Sequence, residues 1–258
     1  MLCKEIIKKL EEVYPKNAAL EWDNVGLLVG REQKEVKNIY VALDLTEEVL
    51  DKAIEEKADM IVTHHPMIFS SLRTITDKDF VGRRVVKLLQ NDISYFAMHT
   101  NYDVMRMADL SADILGLQGQ EVLDRTLVQE ELGIGKLGNC EQEMTLKQCA
   151  ELVKEKFQLD AVQVFGKDEK VIRKIAICAG SGKSVISVAI DKGADVLITG
   201  DIGHHEGLDA VERNLAIIDA GHYGLEHIFI NDVSETLREM FPELEVKKAG
   251  IVFPFQIY

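Results

Sequence analysis

Residues 39–63 align without a gap on residues 175–199, a shift of 136 positions, and this internal repeat limits the fold more than any other feature of the chain. Seven positions are identical: Ile39/Ile175, Val49/Val185, Ala53/Ala189, Ile54/Ile190, Ala58/Ala194, Asp59/Asp195 and Thr63/Thr199. Most other apolar positions exchange one aliphatic residue for another. A later stretch repeats at a shift of 123, with Asn91 on Asn214, Ala97 on Ala220 and His99 on His222. Chance convergence is the competing explanation, because Ala, Ile and Val dominate such elements; the polar residues repeated beside the apolar runs argue against it. A repeat of this size implies two pseudo-equivalent lobes rather than a solenoid.

The pattern inside each repeat is α/β. NIYVALD (38–44) reads as a strand, TEEVLDKAIEEK (46–57) as a helix, and ADMIVTHH (58–65) as a strand ending in histidines. DFVGRRVVKLLQ (79–90) then reads as a helix and ISYFAMHT (93–100) as a third strand. Strands spaced by helices predict parallel β-α-β units with their carboxyl ends gathered on one side. The start of the chain reads as an amphipathic helix with Ile6, Ile7, Leu10 and Val13 on one face. The least regular stretch is about 118–144, around LGIGKLGN (132–139), so the expected lobes are 1–124 and 125–258, with a C-terminal strand free to pack on the first lobe.

Composition removes several classes of function. With 44 acidic against 30 basic residues the net charge is −14, and such a chain repels phosphate backbones, which argues against a general nucleic-acid binder. No apolar run approaches the roughly 20 residues of a membrane span. The first residues lack the pattern of an export signal, and Cys3, Cys140, Cys149 and Cys178 form no C-x-x-C pair. These features together predict a cytoplasmic protein with buried thiols that take no part in metal ligation.

Chemistry concentrates at the predicted strand ends. THHP (63–66) follows one strand, and two adjacent histidines converge only if the chain leaves the strand there, since neighbouring strand side chains point to opposite faces. Pro66 disfavours a helical His65 and helps hold that turn open. After the third strand comes His99-Thr-Asn-Tyr-Asp103, and at the matching place in the second lobe His222-Tyr-Gly-Leu-Glu226. On a helical turn, residues four apart share a face, so each lobe would present an imidazole and a carboxylate. Imidazole and carboxylate without thiolate suit Zn, Mn, Fe, Co or Ni. Four terminal ligands and one bridging carboxylate, for which Glu226 is the candidate, give about three bonds to each of two ions, the usual number for catalytic zinc with an open position. Two such ions can hold a hydroxide and polarise a substrate.

EWDNVGLLVG (21–30), VTHHP (62–66), HTNYD (99–103), ITGDIGHHE (198–206) and DAGHYGLE (219–226) together resemble the GTP cyclohydrolase 1 type 2 homologue family, the Nif3-like proteins, in its short form without an inserted domain. The resemblance runs in order from about residue 20 to 230. It implies two α/β lobes facing a cleft with two divalent metal ions, and assembly into a toroidal homohexamer. It places the metal ligands at His64, His65, Asp103, His222 and Glu226, with His99 in a motif but outside the ligand set. It further implies hydrolytic opening of the imidazole ring of GTP, with release of formate.

Around that set, His99, His204, His205, Asp44, Asp23 and Asn24 are expected to support or line the cleft. For Asp44 the alternative is a helix N-cap, and for the Glu21–Asn24 turn around Trp22 it is simple aromatic packing. GSGKS (180–184) looks like the end of a phosphate-binding loop, but Ile177 stands where a Walker A glycine belongs, so a tight strand–helix turn is the preferred reading. The competing functions are a hydrolase of GTP, a hydrolase of another small phosphorylated or amide substrate, and a non-enzymatic metal-binding or regulatory protein. The tail AGIVFPFQIY (249–258) is apolar enough to require docking, either as a last strand of its own lobe or on a neighbouring copy.

Overall fold

The computed structural model of the chain describes residues 1–127 and 131–257. It divides into two compact units, the first formed by Met1–Tyr102 with Ile228–Ile251, the second by Asp103–His227 with the residues from Val252 onward. In chain order the first unit contributes α1 (Cys3–Val13), β1 (Gly26–Val29), β2 (Asn38–Ala42), α2 (Glu47–Glu55), β3 (Met60–Thr63), α3 (Phe80–Gln90), β4 (Ser94–Ala97) and the single turn α4 (Thr100–Tyr102). The second contributes a π-helical turn (Asp103–Met107), α5 (Ala108–Leu115), β5 (Gln118–Leu127), β6 (Leu132–Thr145), α6 (Leu146–Phe157), β7 (Gln163–Phe165), β8 (Val171–Ser181), α7 (Ile186–Asp191), β9 (Val196–Gly200), α8 (His204–Glu212), β10 (Ala216–Asp219) and α9 (His222–Glu226). Helix α10 (Ile228–Met240) and strand β11 (Glu245–Lys248) belong to the first unit.

Each unit is built on one mixed sheet. The first has strand order β1-β4-β3-β2-β11 and the second β5-β6-β8-β9-β10-β7. In both, three parallel strands form the middle and an antiparallel strand covers the third of them: β1 against β4, and β7 against β10. The parallel strands are packed on both faces, which is why their sequences are continuous apolar runs rather than alternating ones; β3, β4 and β9 are buried throughout.

The helices begin where local chemistry supplies a cap. Thr46 Oγ1 accepts from Val49 N at the start of α2, Asp79 Oδ1 from Gly82 N at the start of α3, and Thr145 Oγ1 from Gln148 N at the start of α6. Helix α1 buries Cys3, Ile6, Ile7 and Leu10 as its spacing predicts, but Val13 is 43% exposed and Tyr14 turns inward instead.

Hydrogen bonds confirm the first part of the repeat and correct the second. Asp59 Oδ2 accepts from the backbone of Lys37 and Asn38, and Asp195 Oδ2 from Arg173 and Lys174, all at the shift of 136. Ile39 pairs with Met60 as Ile175 pairs with Val196. On the third strand, however, Met60 pairs with Ser94 and Val196 with Ala216, a shift of 122 rather than 123. Met98 N donates to Thr63 O as Ala220 N does to Thr199 O, and the left-handed residues Asp92 and Asn214 also correspond at 122. The ladder therefore equates His222 with Thr100, the first residue of α4, and not with His99. Matching identities among common residues had pulled the alignment one position out of register.

Two further expectations differ. The stretch 118–144 holds two long paired strands, β5 and β6, apart from 128–130, which lie outside the described residues. Its glycines read as loop signals, yet Gly133 lies so close to the β5 backbone at Asp124 that a Cβ would overlap the Asp124 carbonyl. Residues 124 and 125 fall inside β5, and the compact units change at Tyr102/Asp103. The C-terminal strand is Glu245–Lys248, parallel to β2 in the first unit, and not the apolar tail after it. Tail residues Val252 and Ile257 are more than 60% exposed, and Tyr258 lies outside the described residues.

Candidate metal centre

In the first unit the chain leaves β3 at Thr63 and turns through His64, His65 and Pro66. A buried knot fixes that turn: the Thr63 and Tyr95 hydroxyls each lie 2.9 Å from the His65 carbonyl and 2.7 Å from one another, with their two protons shared among the three oxygens, and Met67 N donates to Tyr95 Oη at 2.8 Å. Burial pushes the Tyr95 phenol up to about 12, against the pull of its bonds to Thr63 and Met67, so it remains a neutral structural group. The turn brings His64 and His65 together with His99, which follows β4. Ring centroids are 4.9 Å apart for His64–His65, 5.2 Å for His64–His99 and 5.5 Å for His65–His99. One donor atom from each lies within 4.8 Å of the others, close enough to hold a metal ion.

The orientation of these rings is set by what each Nδ1 meets. His64 Nδ1 donates to the Met98 carbonyl at 2.9 Å, His65 Nδ1 to Asp44 Oδ1 at 2.8 Å, and His99 Nδ1 to Asp23 Oδ1 at 2.8 Å. Carbonyl and ionised carboxylate oxygens only accept, so Nδ1 carries the proton in each ring and Nε2 keeps the lone pair in the neutral form. Metal-ligating histidines are oriented in this way. Burial alone would raise the Asp23 carboxyl, but hydrogen bonds from the His99 ring and from Thr100 bring it down to about 2. Asp44 is thus a partner of His65, and the N-cap of α2 is Thr46. Asn24 donates from Nδ2 to the Ile68 carbonyl at 2.6 Å and pins the turn that carries Trp22 to the loop after THHP.

In the second unit, α9 presents His222 and Glu226 one turn apart, with Nε2 and Oε2 separated by 3.0 Å. His222 Nδ1 meets Asp201 Oδ2 at 2.7 Å, the same arrangement as in the first unit. Glu226 is 2% exposed. Gly180 explains how the carboxylate fits: its φ is +73°, and a Cβ there would overlap Glu226 Oε1. The glycine of GSGKS therefore makes room for a carboxylate. Lys183 of the same stretch pairs with Glu206, and the helix that follows is only six residues long. Asp103 opens the π-helical turn, a distortion frequent at functional sites. Burial first, then the negative charges of Asp103, Glu226 and Asp124, push the Cys178 thiol up to about 12, so it stays protonated.

His204 and His205 are exposed on the first turn of α8, their rings 5.2 Å apart, and Asp201 rather than either of them touches the His222 ring. Asp201 was not singled out from the sequence. The available signal was its place in the repeat, where it falls on His65 at the shift of 136.

The sequence profile of the family described as Duf34/NIF3 (NGG1p interacting factor 3) matches residues 1–253. A Clostridium perfringens protein named GTP cyclohydrolase 1 type 2 homolog is 37% identical over 241 residues, covering 93% of this chain and 92% of its own. Among solved structures, a Bacillus cereus protein related to NIF3 matches with a TM-score of 0.94 at 28% identity, over 100% of this chain and 99% of that one. Reduced HcgD from Methanocaldococcus jannaschii matches with a TM-score of 0.83 at 30% identity, over 96% of this chain and 97% of that one. With two mixed sheets, clustered imidazoles and this profile over nearly its whole length, the chain belongs to the Duf34/NIF3 family.

Proposed function

We propose that the protein is a metal-dependent hydrolase of a small molecule that holds two divalent ions through His64, His65, Asp103, His222 and Glu226. The observation that carries the reading is the common state of four imidazoles, each with Nδ1 committed to a carbonyl or carboxylate oxygen. For His64, His65 and His222 this anchoring turns Nε2 away from the holding oxygen, the orientation a metal-ligating imidazole needs, and it sets His222 Nε2 3.0 Å from the second candidate donor, Glu226 Oε2. Taking the donors of both units as one ligand set rests on the ordered sequence motifs.

The donor chemistry fits a divalent ion of intermediate softness, Zn, Mn, Fe, Co or Ni, because the set is imidazole and carboxylate. Glu226 would hold metal beside His222, which one of its oxygens faces, while the other lies in the room that Gly180 leaves. Asp44, Asp23 and Asp201 hold their imidazoles in place and keep a proton on each Nδ1. When bound, divalent ions supply Lewis acidity, which polarises a carbonyl, phosphoryl or ring position toward attack by water.

The test begins with elemental analysis of protein purified without chelator and reconstituted with each metal in turn. Two equivalents per chain are expected, falling in His64→Ala and His222→Ala. Hydrolysis of GTP with release of formate, the reaction suggested by the relatives' name, is the first activity to assay, followed by small phosphoesters and amides, with His222→Ala as the blank. Failure to bind any of these ions above the level of the blank overturns the reading.

A further inference from the structure

Beside the imidazole cluster of the first unit lies a pair of aromatic rings that the metal reading does not use. Trp22 is 57% exposed and Phe69 58% exposed. Their centroids are 5.6 Å apart at an interplanar angle of 42°, and both stand edge-on to the His99 ring, at 5.9 Å and 6.3 Å. A tryptophan left in water while two rings beside it are fixed forgoes stabilisation that burial would supply. Its position is nevertheless firmly set. The Asp23 side chain is fully buried and tied to His99 and Thr100, and Asn24 is tied to the Ile68 carbonyl next to Phe69. The backbone next to each ring is anchored while more than half of each side chain stays exposed.

We propose that Trp22 and Phe69 form a stacking platform for a planar heteroaromatic ring of a small-molecule ligand, placed so that the bound ring adjoins His99. Small planar rings suit the surface because its recognition is by face. The polar side chains of Asp23 and Asn24 are engaged inside the turn and offer no edge to read. As a subsite for substrate the platform rests on the metal reading above; as a ring-binding surface it does not.

Trp22 is the single tryptophan of the chain, so emission excited at the long-wavelength edge, where the six tyrosines do not absorb, reports on the platform alone. Adenosine is the probe, chosen without phosphate because the chain carries a net charge of −14, and ribose is the control. Titrations are run on full-length protein, once stripped with chelator and once reconstituted with metal. Saturable quenching by adenosine and none by ribose is expected in both. Phe69→Ala should weaken the apparent affinity roughly five- to a hundredfold, the range for loss of one stacked aromatic partner. Trp22→Leu, followed by calorimetry, should do the same with an unchanged melting temperature. Absence of saturable quenching overturns the platform, as does an affinity unaltered in Phe69→Ala. Emission that shifts on dilution of the protein while ignoring adenosine also overturns it, because a second copy then covers the rings. If adenosine stacks but no ion binds, the metal reading fails alone; if ions bind and adenosine does not stack, the platform fails alone.

Discussion

The Asp23 carboxylate accepts from the His99 ring, from Thr100 N and from the Thr100 hydroxyl, and these bonds hold it at about 2 against an ordinary 3.8. A depressed carboxylate stabilises the fold above its unfolded pKa and loses that contribution as pH falls through the folded value. The window is therefore roughly pH 4 down to 2, and the contribution is about 2 kcal/mol. Denaturant melts across that range should show Asp23→Asn less stable than the parent at neutral pH and nearly equal to it near pH 2. A constant difference would place the effect of Asp23 outside its charge. Gly180 gives a second residue-scale prediction. Gly180→Ala meets both a left-handed backbone and the Glu226 carboxylate, so it should cost about 1–3 kcal/mol in a denaturant melt and loosen metal binding in the same variant.

At the scale of elements, α9 is the short helix on which His222 and Glu226 both ride, and it is held by more than its own hydrogen bonds. Val252 N donates to the Tyr223 hydroxyl at 3.0 Å, and the Phe253 ring lies 5.2 Å from Tyr223 and 6.3 Å from His227. From below, His227 donates from Nε2 to the Phe157 carbonyl at the end of α6. Burial lowers the pKa of His227, which keeps it neutral in that role. Phe253→Ala should raise amide exchange in residues 222–227 while leaving β9 protected, with a stability loss of about 1–2 kcal/mol for a half-buried ring. Unchanged exchange in α9 would mean that the tail lies on the helix without supporting it. For Glu226 the expected behaviour is different. If its two oxygens serve two cations, Glu226→Gln weakens both ions together in calorimetric titration, whereas His64→Ala hurts one more than the other. Independent, equal losses in both variants would argue against a bridge.

At the scale of the whole molecule, several large apolar side chains stay in contact with water. Val252, Phe255 and Ile257 are each more than half exposed, as are Ile75 and Phe80 on the loop and helix start after THHP. Following the family resemblance, we propose a homohexameric ring, which gives a light-scattering mass six times that of the chain at micromolar concentration; a monomer mass would overturn it. Truncation after Ile251 should lower the assembled fraction if the tail lies between copies. Among the described residues no helix is long and apolar enough to cross a membrane.

The α/β class and the strand–helix–strand core of the repeat were legible in the sequence because they depend on local rules, and the same rules put the proposed donor residues at strand ends. Buried parallel strands are continuous apolar runs, helices need caps, and HHP, HTNYD and HYGLE fall at strand ends where side chains converge. Register was not legible, because a shift of 122 or 123 preserves the same apolar composition and only the ladder through Met60–Ser94 and Val196–Ala216 distinguishes them. Nor could sequence choose between the N-cap and histidine-partner roles of Asp44, or show that Asp201 holds the His222 ring and that Gly180 makes room for Glu226. Those assignments depend on which atoms the packed units bring within about 3 Å, a long-range property that spacing along a chain does not encode.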